Sequence, residues 1–162
     1  GGAIVTDGRL LRGHFGKAGH LGHSSLDLEG KPDICGMPGA LEDFIGNHNI
    51  ADRTGGRYES TAELVEAVRA GEDSAKEAWE HSLRALGVSV ASFVNILDPE
   101  LVLIGGGISE AWDQIEGPLK RWMEEFEWRP GGGQVEIRRA RLGPMAGAYG
   151  AAYFAMQRSN NT

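Results

Sequence analysis

Leu101-Val102-Leu103-Ile104 is an unbroken apolar run, and Gly105-Gly106-Gly107 follows it at once. An apolar run without alternation is the pattern of a strand covered on both faces in a parallel sheet. Glycines at its carboxyl end make a turn without Cβ atoms at the sheet edge where α/β folds bind ligands. The turn lacks the Lys and Ser/Thr of a phosphate loop and the spaced glycines of a dinucleotide fingerprint. Taken alone it is equally an ordinary turn.

The flanking segments predict an α/β domain. Ser74 and Glu77 have capping-box spacing. Behind them Ala75, Ala78, Trp79, Ser82, Leu83 and Leu86 share one helix face, continued by Val90, Phe93, Val94 and Leu97 up to Asp98-Pro99, with a bend expected at Gly87. A shorter helix precedes it, from a box at Ser60 and Glu63 to Gly71. Ser109 to Trp128 is helical in pattern, with an interruption expected at Gly117-Pro118, where proline opens a new first turn. Val135 and Ile137 suggest another strand, and Ala146 to Gln157 a last helix whose small residues would let it pack closely on the sheet. Near the amino terminus, two short stretches, Ala3 to Thr6 and Arg9 to Arg12, flank Asp7-Gly8, a hairpin-turn dipeptide. Between Gly13 and Gly56 periodicity fades, apart from a short helix at Ala40 to Gly46; long irregular stretches tend to be functional.

Composition excludes several classes of function. A formal net charge of −7 over 162 residues opposes binding to phosphate backbones, so no nucleic-acid contact is expected, and Arg138-Arg139-Ala140-Arg141 reads as the solvated end of a strand. No apolar run approaches the roughly 18 residues that span a bilayer. The single cysteine, Cys35, cannot form an internal disulfide. These features, and the lack of a leader pattern, are those of a cytoplasmic protein without a membrane partner.

The irregular region gathers His20, His23, Asp33, Cys35 and Glu42. Imidazoles, a thiol and carboxylates suit either a metal or hydrogen bonds to a polyhydroxylated substrate. A structural zinc site usually takes four protein ligands, and one cysteine is a weak signal for it.

Several segments resemble the ROK family (repressor, open reading frame, kinase). Gly19-His20-Leu21-Gly22-His23 is similar to the family's Glu-x-Gly-His, and Asp33 to Glu42 aligns without gaps to its Cys-x-Cys-Gly-x-x-Gly-Cys-x-Glu. Asn95 to Gly107 resembles its adenosine-side strand and turn, and Leu142-Gly143, Ala146-Gly147 and Gly150-Ala151-Ala152 its last helix. The resemblance implies an actin-like ATPase (ribonuclease H-like) fold in which ATP with Mg2+ and a sugar meet in a cleft. It implies phosphoryl transfer to a hydroxyl of a hexose or an N-acetylhexosamine, by a homodimer. Carried over residue by residue, His20, His23 and Glu42 contact the sugar, Gly1 and Gly2 end a phosphate-cradling loop, and Gly105, Gly106 and Gly107 border the adenosine.

The departures from that pattern shape the remaining expectations. His20 stands where the family has a sugar-binding glutamate. Asp33 and Ala40 stand where the family has two of the three cysteines that join the histidine around zinc; His23 and Cys35 remain, so the structural zinc is expected to be lost and no metal ligand is assigned. The family's first domain, with its proton-accepting aspartate, has no counterpart, and Asp7 and Asp43 are poor substitutes, so no catalytic residue is assigned. Residues 1–162 are accordingly expected to form a carboxy-terminal domain only, lacking the first strand of its sheet and inactive by itself. Two alternatives stand beside a partial sugar kinase: the sugar-sensing domain of a ROK repressor, and a degenerate interaction protein.

Overall fold

A computed structural model describes residues 1–159. Asp7 and Gly8 both take positive φ, 52° and 71°, as a two-residue hairpin turn requires, and join β1 (Val5–Thr6) to β2 (Arg9–Leu10) in an antiparallel pair. A strand therefore does form near the amino terminus, and the expectation of an absent first strand is corrected. Leu11 N–H donates to the Ile4 carbonyl at 2.8 Å and extends the pairing.

The irregular region is closed by local hydrogen bonds. A 3-10 turn covers Leu21–His23, and residues 24–41 leave and return as a loop whose limbs meet at Ser25 with Ala40 and at Pro32 with Pro38. Leu41 N–H donates to Ser24 O at 2.8 Å where the limbs join. Two one-turn helices follow, α1 (Leu41–Ile45) and α2 (Ile50–Thr54).

Helix α3 (Thr61–Ala70) starts as its sequence dictates: Ser60 Oγ accepts from Glu63 N–H, and Gly71 ends it at φ 91°. Glu63 returns its carboxylate to Glu59 N–H rather than to the Ser60 amide, one residue further out than the box pattern places it. The long helix α4 (Asp73–Leu97) differs at its start. Glu72 is its N-cap, but its carboxylate caps no helix amide and instead accepts from the Tyr58 hydroxyl, which also pairs with Ser74 Oγ. Ala75, Trp79, Leu83, Leu86, Val90 and Val94 form the expected buried stripe.

Gly87 lies within one continuous helix. A Cβ there would sit 2.5 Å from Trp122 Cβ, so the glycine is the point where α4 meets α5 (Trp112–Phe126). Pro118 lies inside α5, where an interruption was expected. Proline has no N–H for the carbonyl four residues back. That carbonyl, Gln114 O, accepts instead from Trp79 Nε1 at 3.1 Å. A donor from α4 thus completes the helix that proline leaves short. Ile115, Leu119 and Met123 of α5 are fully buried against α4.

Strand β3 (Leu101–Ile104) pairs in parallel with β4 (Glu136–Arg139), Leu101 opposite Glu136 and Ile104 opposite Arg139. Val102, Ile104, Val135 and Ile137 pack on the core, whereas Leu103 is 58% exposed, so the sheet is covered on one face and not on both. Arg138 chelates Glu136 and Arg139 reaches Glu110, so two of the three arginines of the basic run are paired with carboxylates. Helix α6 (Ala146–Ser159) also departs from expectation: Tyr149, Tyr153 and Met156 are exposed, and the helix lies outside the core instead of packing closely on the sheet.

Candidate functional site

A cavity of about 1420 Å³ opens between the amino-terminal segment, α1 and the sheet, lined among others by Gly1, Gly2, Asp7, Gly22, Glu42, Gly105 and Gly107. The amino-terminal segment is held against its wall by close backbone approach. A Cβ on Gly2 would meet Gly19 O at 2.6 Å, and one on Gly19, at φ 84°, would meet Ala3 Cα at 2.9 Å. The turn after β3, which also lines the cavity, remains open. Gly106 takes φ 77°, and nothing lies within 4 Å of a Cβ on Gly106 or Gly107. A planar group could lie on this turn without displacing a side chain, so these residues fit the adenosine side of a nucleotide.

The expected site residues are only partly gathered. Gly1, Gly2, Glu42, Gly105 and Gly107 line the one cavity; Gly106, His20 and His23 do not. His23 is linked to the cavity through Glu42, whose Oε2 lies 3.9 Å from His23 Nδ1. His20 is exposed beside His23, ring centroids 5.8 Å apart. Gly22 lets the histidine turn approach: a Cβ there would be 3.2 Å from Glu42 Oε2. Asp7 lines the cavity from the hairpin turn, while Asp43 points elsewhere and takes His48 Nε2 at 3.0 Å.

Asp33 has a role that its place in the sequence only half reveals. Its Oδ1 accepts the Cys35 and Met37 N–H groups at 2.7 and 2.8 Å. An aspartate capping amides two and four residues on, ahead of Gly36 at φ 81°, is a legible turn signal. The amide of Met37 is the main influence holding this carboxyl below the usual carboxylate range; burial opposes it, and the Cys35 amide and His23 add to the lowering. The second oxygen, Oδ2, is buried without a hydrogen-bond partner and lies 3.6 Å from His23 Nδ1. His23, Asp33 and exposed Cys35 can each present one ligand atom, with all three atoms within 4.8 Å of one another. Among the described residues this is the one such group of three. The donor set falls short of the four ligands of a closed zinc site.

Known proteins align along nearly the whole chain. The model of the ROK family matches residues 1–158. Glucokinase of Halalkalibacterium halodurans is 31% identical over 99% of the chain and 54% of its own length. N-acetylmannosamine kinase of Vibrio cholerae is 30% identical over 94% of the chain and 53% of its own length. A ROK family glucokinase from Streptomyces griseus, solved in complex with glucose and AMPPNP, superposes with a TM-score of 0.79 at 26% identity, over 96% of the chain and 56% of that structure. The chain thus spans about half the length of the curated relatives it matches. The family match over residues 1–158 overturns the restriction of the likeness to a carboxy-terminal domain. Since the kinase likeness runs along nearly the whole chain, the expectation of an inactive partial kinase is corrected with it. The α/β, actin-like architecture stands, and the chain belongs to the ROK family.

Proposed function

We propose that this protein serves ATP-dependent phosphoryl transfer to a hydroxyl of a hexose or an N-acetylhexosamine. The observation that carries the reading is that Glu42, Gly105, Gly107, Gly1 and Gly2 line one and the same cavity. The relatives named above act on glucose and on N-acetylmannosamine, and the matched structure was solved with glucose and a nucleotide analogue.

Each residue has a chemical part in this reading. Glu42 accepts from sugar hydroxyls, and its partner His23 presents the remaining ring nitrogen as donor or acceptor. His20 can donate where a carboxylate could only accept, which shifts the hydroxyl pattern the site favours. Gly105, Gly106 and Gly107 would border the adenosine, and Gly1 and Gly2 would offer backbone N–H groups to phosphate. ATP with Mg2+ supplies the phosphoryl group and the charge neutralisation that its transfer requires. No helix among the described residues is long and apolar enough to cross a membrane. The proposal includes a cytoplasmic homodimer, which sedimentation of the purified protein would test.

The activity test is ADP release from ATP and Mg2+ with a panel of glucose, N-acetylmannosamine and other hexoses. Release that depends on one of these sugars supports the reading. Release independent of sugar, or none with any of them, overturns it.

A further inference from the structure

We infer that Arg53 is a positioning residue for Glu42: it brackets α1, the one-turn helix that bears Glu42, to the long helix α4, and it is kept for the sugar site and not for the stability of the fold. The inference rests on the reading of Glu42 as a sugar contact.

Helix α1 does not hold its own place. It is five residues long, its N-cap Ala40 makes no side-chain hydrogen bond, and a helix of one turn leaves its last carbonyls without partners of its own. Residues beyond the helix supply the donors. Gly46 N–H donates to Glu42 O at 2.7 Å, Asn49 Nδ2 to Asp43 O at 3.2 Å, and Arg53 Nη1 to Phe44 O.

Of these three donors, Arg53 is the one that also bonds to α4. The same Nη1 donates to Ser82 Oγ at 3.1 Å, and the fully buried Ser82 donates in turn to Ala78 O at 3.1 Å. A chain of hydrogen bonds therefore runs from the α4 backbone to the α1 backbone through one guanidinium. The Phe44 ring meets His81 of α4, centroids 5.7 Å apart, which gives α1 an aromatic seat beside the polar one.

The second support is what Arg53 costs. Asp43, its neighbour around a cavity of about 190 Å³, pairs with His48 instead, and the guanidinium Nε and Nη2 are buried without a hydrogen-bond partner. Burial pulls the guanidinium down to about 10. A buried charge with two unmade hydrogen bonds weakens the fold, and an apolar side chain of similar length removes that penalty. Residues that weaken the fold while fixing a site are those that function retains.

The experiment compares Arg53→Met with the wild-type 162-residue chain in three measurements. The urea midpoint of the variant should be no lower than that of the wild type. Hydrogen exchange at the Gly46 amide, which closes α1, should be faster. Calorimetric titration with glucose and N-acetylmannosamine should show affinity for the bound sugar reduced by about tenfold, the scale of one charged hydrogen bond. Arg53→Lys, which keeps a donor, should recover part of that affinity. Glu42→Gln should weaken binding in the wild type and add little in Arg53→Met, because the misplaced carboxylate has already lost its hydroxyls; a merely structural role gives additive losses. The inference is overturned by equal sugar affinity in the wild type and Arg53→Met, by additive losses, or by unchanged Gly46 exchange. An Arg53→Met chain that is less stable or unfolded also overturns it, since the residue then serves the fold. A wild-type chain that binds neither sugar removes the functional reading, and this inference falls with it.

Discussion

Replacing Gly87 by alanine adds one methyl group at the crossing of α4 and α5, and two opposed terms decide the outcome. Alanine in place of glycine inside a helix is favourable by about 1 kcal/mol. Against this, the new Cβ would sit 2.5 Å from Trp122 Cβ, where ordinary contact begins at 3.4 Å. The neighbour is the root of a side chain and cannot swing away, so the helices must part by about 1 Å. Trp122 is further anchored, its Nε1 donating to Glu80 Oε1 at 2.7 Å and its ring lying 5.0 Å from the Arg84 guanidinium. Parting the helices also loosens Ile115, Leu119 and Met123, all at or below 1% exposure. Overpacking of this kind costs about 1–3 kcal/mol, which leaves a net loss of up to about 2 kcal/mol after the helix term. Urea unfolding followed by tryptophan fluorescence measures the difference. Gly150→Ala in α6, where nothing lies within 4 Å of the new methyl group, isolates the propensity term. If Gly87→Ala stabilises the protein as much as Gly150→Ala does, the reading of Gly87 as a contact glycine is wrong.

Trp79→Phe removes the donor that satisfies Gln114 O ahead of Pro118 and should cost about 1–3 kcal/mol by thermal or urea unfolding. Adding Pro118→Ala restores a backbone N–H for that carbonyl and should recover part of the loss; equal losses with and without it would refute the coupling. The Arg69 guanidinium, ahead of Gln114, holds the Asp113 carboxyl down at about 2, across the α3 to α5 contact. A depressed carboxylate contributes stability above its ordinary value of 3.8 that is lost as pH falls through about 2. Asp113→Asn should therefore melt slightly below the wild type at neutral pH, and the gap should close between about pH 4 and pH 2; because the pair is exposed, the gap is small and shrinks with salt.

Local rules were legible where local chemistry decides. Asp7-Gly8 specifies a turn whatever surrounds it, and Ser60 and Gly71 bound α3 through bonds within the helix. The readings that failed each turned on a distant partner. Ser74 has a capping residue's identity, but Tyr58 claims its hydroxyl, sixteen positions away in the chain. Pro118 would break α5 if Trp79 did not supply the missing donor, and Gly87 looks like a flexible joint until Trp122 is set against it. The sheet and α6 were read as more deeply buried than they are, because apolar runs and small residues report a capacity for packing and not what they meet. At the site, motif order singles out Glu42 and the glycine turn, and Glu42, Gly105 and Gly107 line one cavity. It could not show that His23 stands behind Glu42, outside the cavity lining, or that one Asp33 oxygen is left without a hydrogen bond.

The most direct measurement of the central claim is calorimetric titration of the purified chain with glucose, N-acetylmannosamine and related sugars, for the wild type and for Glu42→Gln. The substitution keeps the shape of the side chain and removes the charge that accepts hydroxyl protons. The account predicts saturable binding of at least one hexose or N-acetylhexosamine, weakened about tenfold or more in the variant, since a charged hydrogen bond to a ligand is worth about 1.5–3 kcal/mol. No binding of any sugar by the wild type, or equal binding by the two proteins, would contradict it.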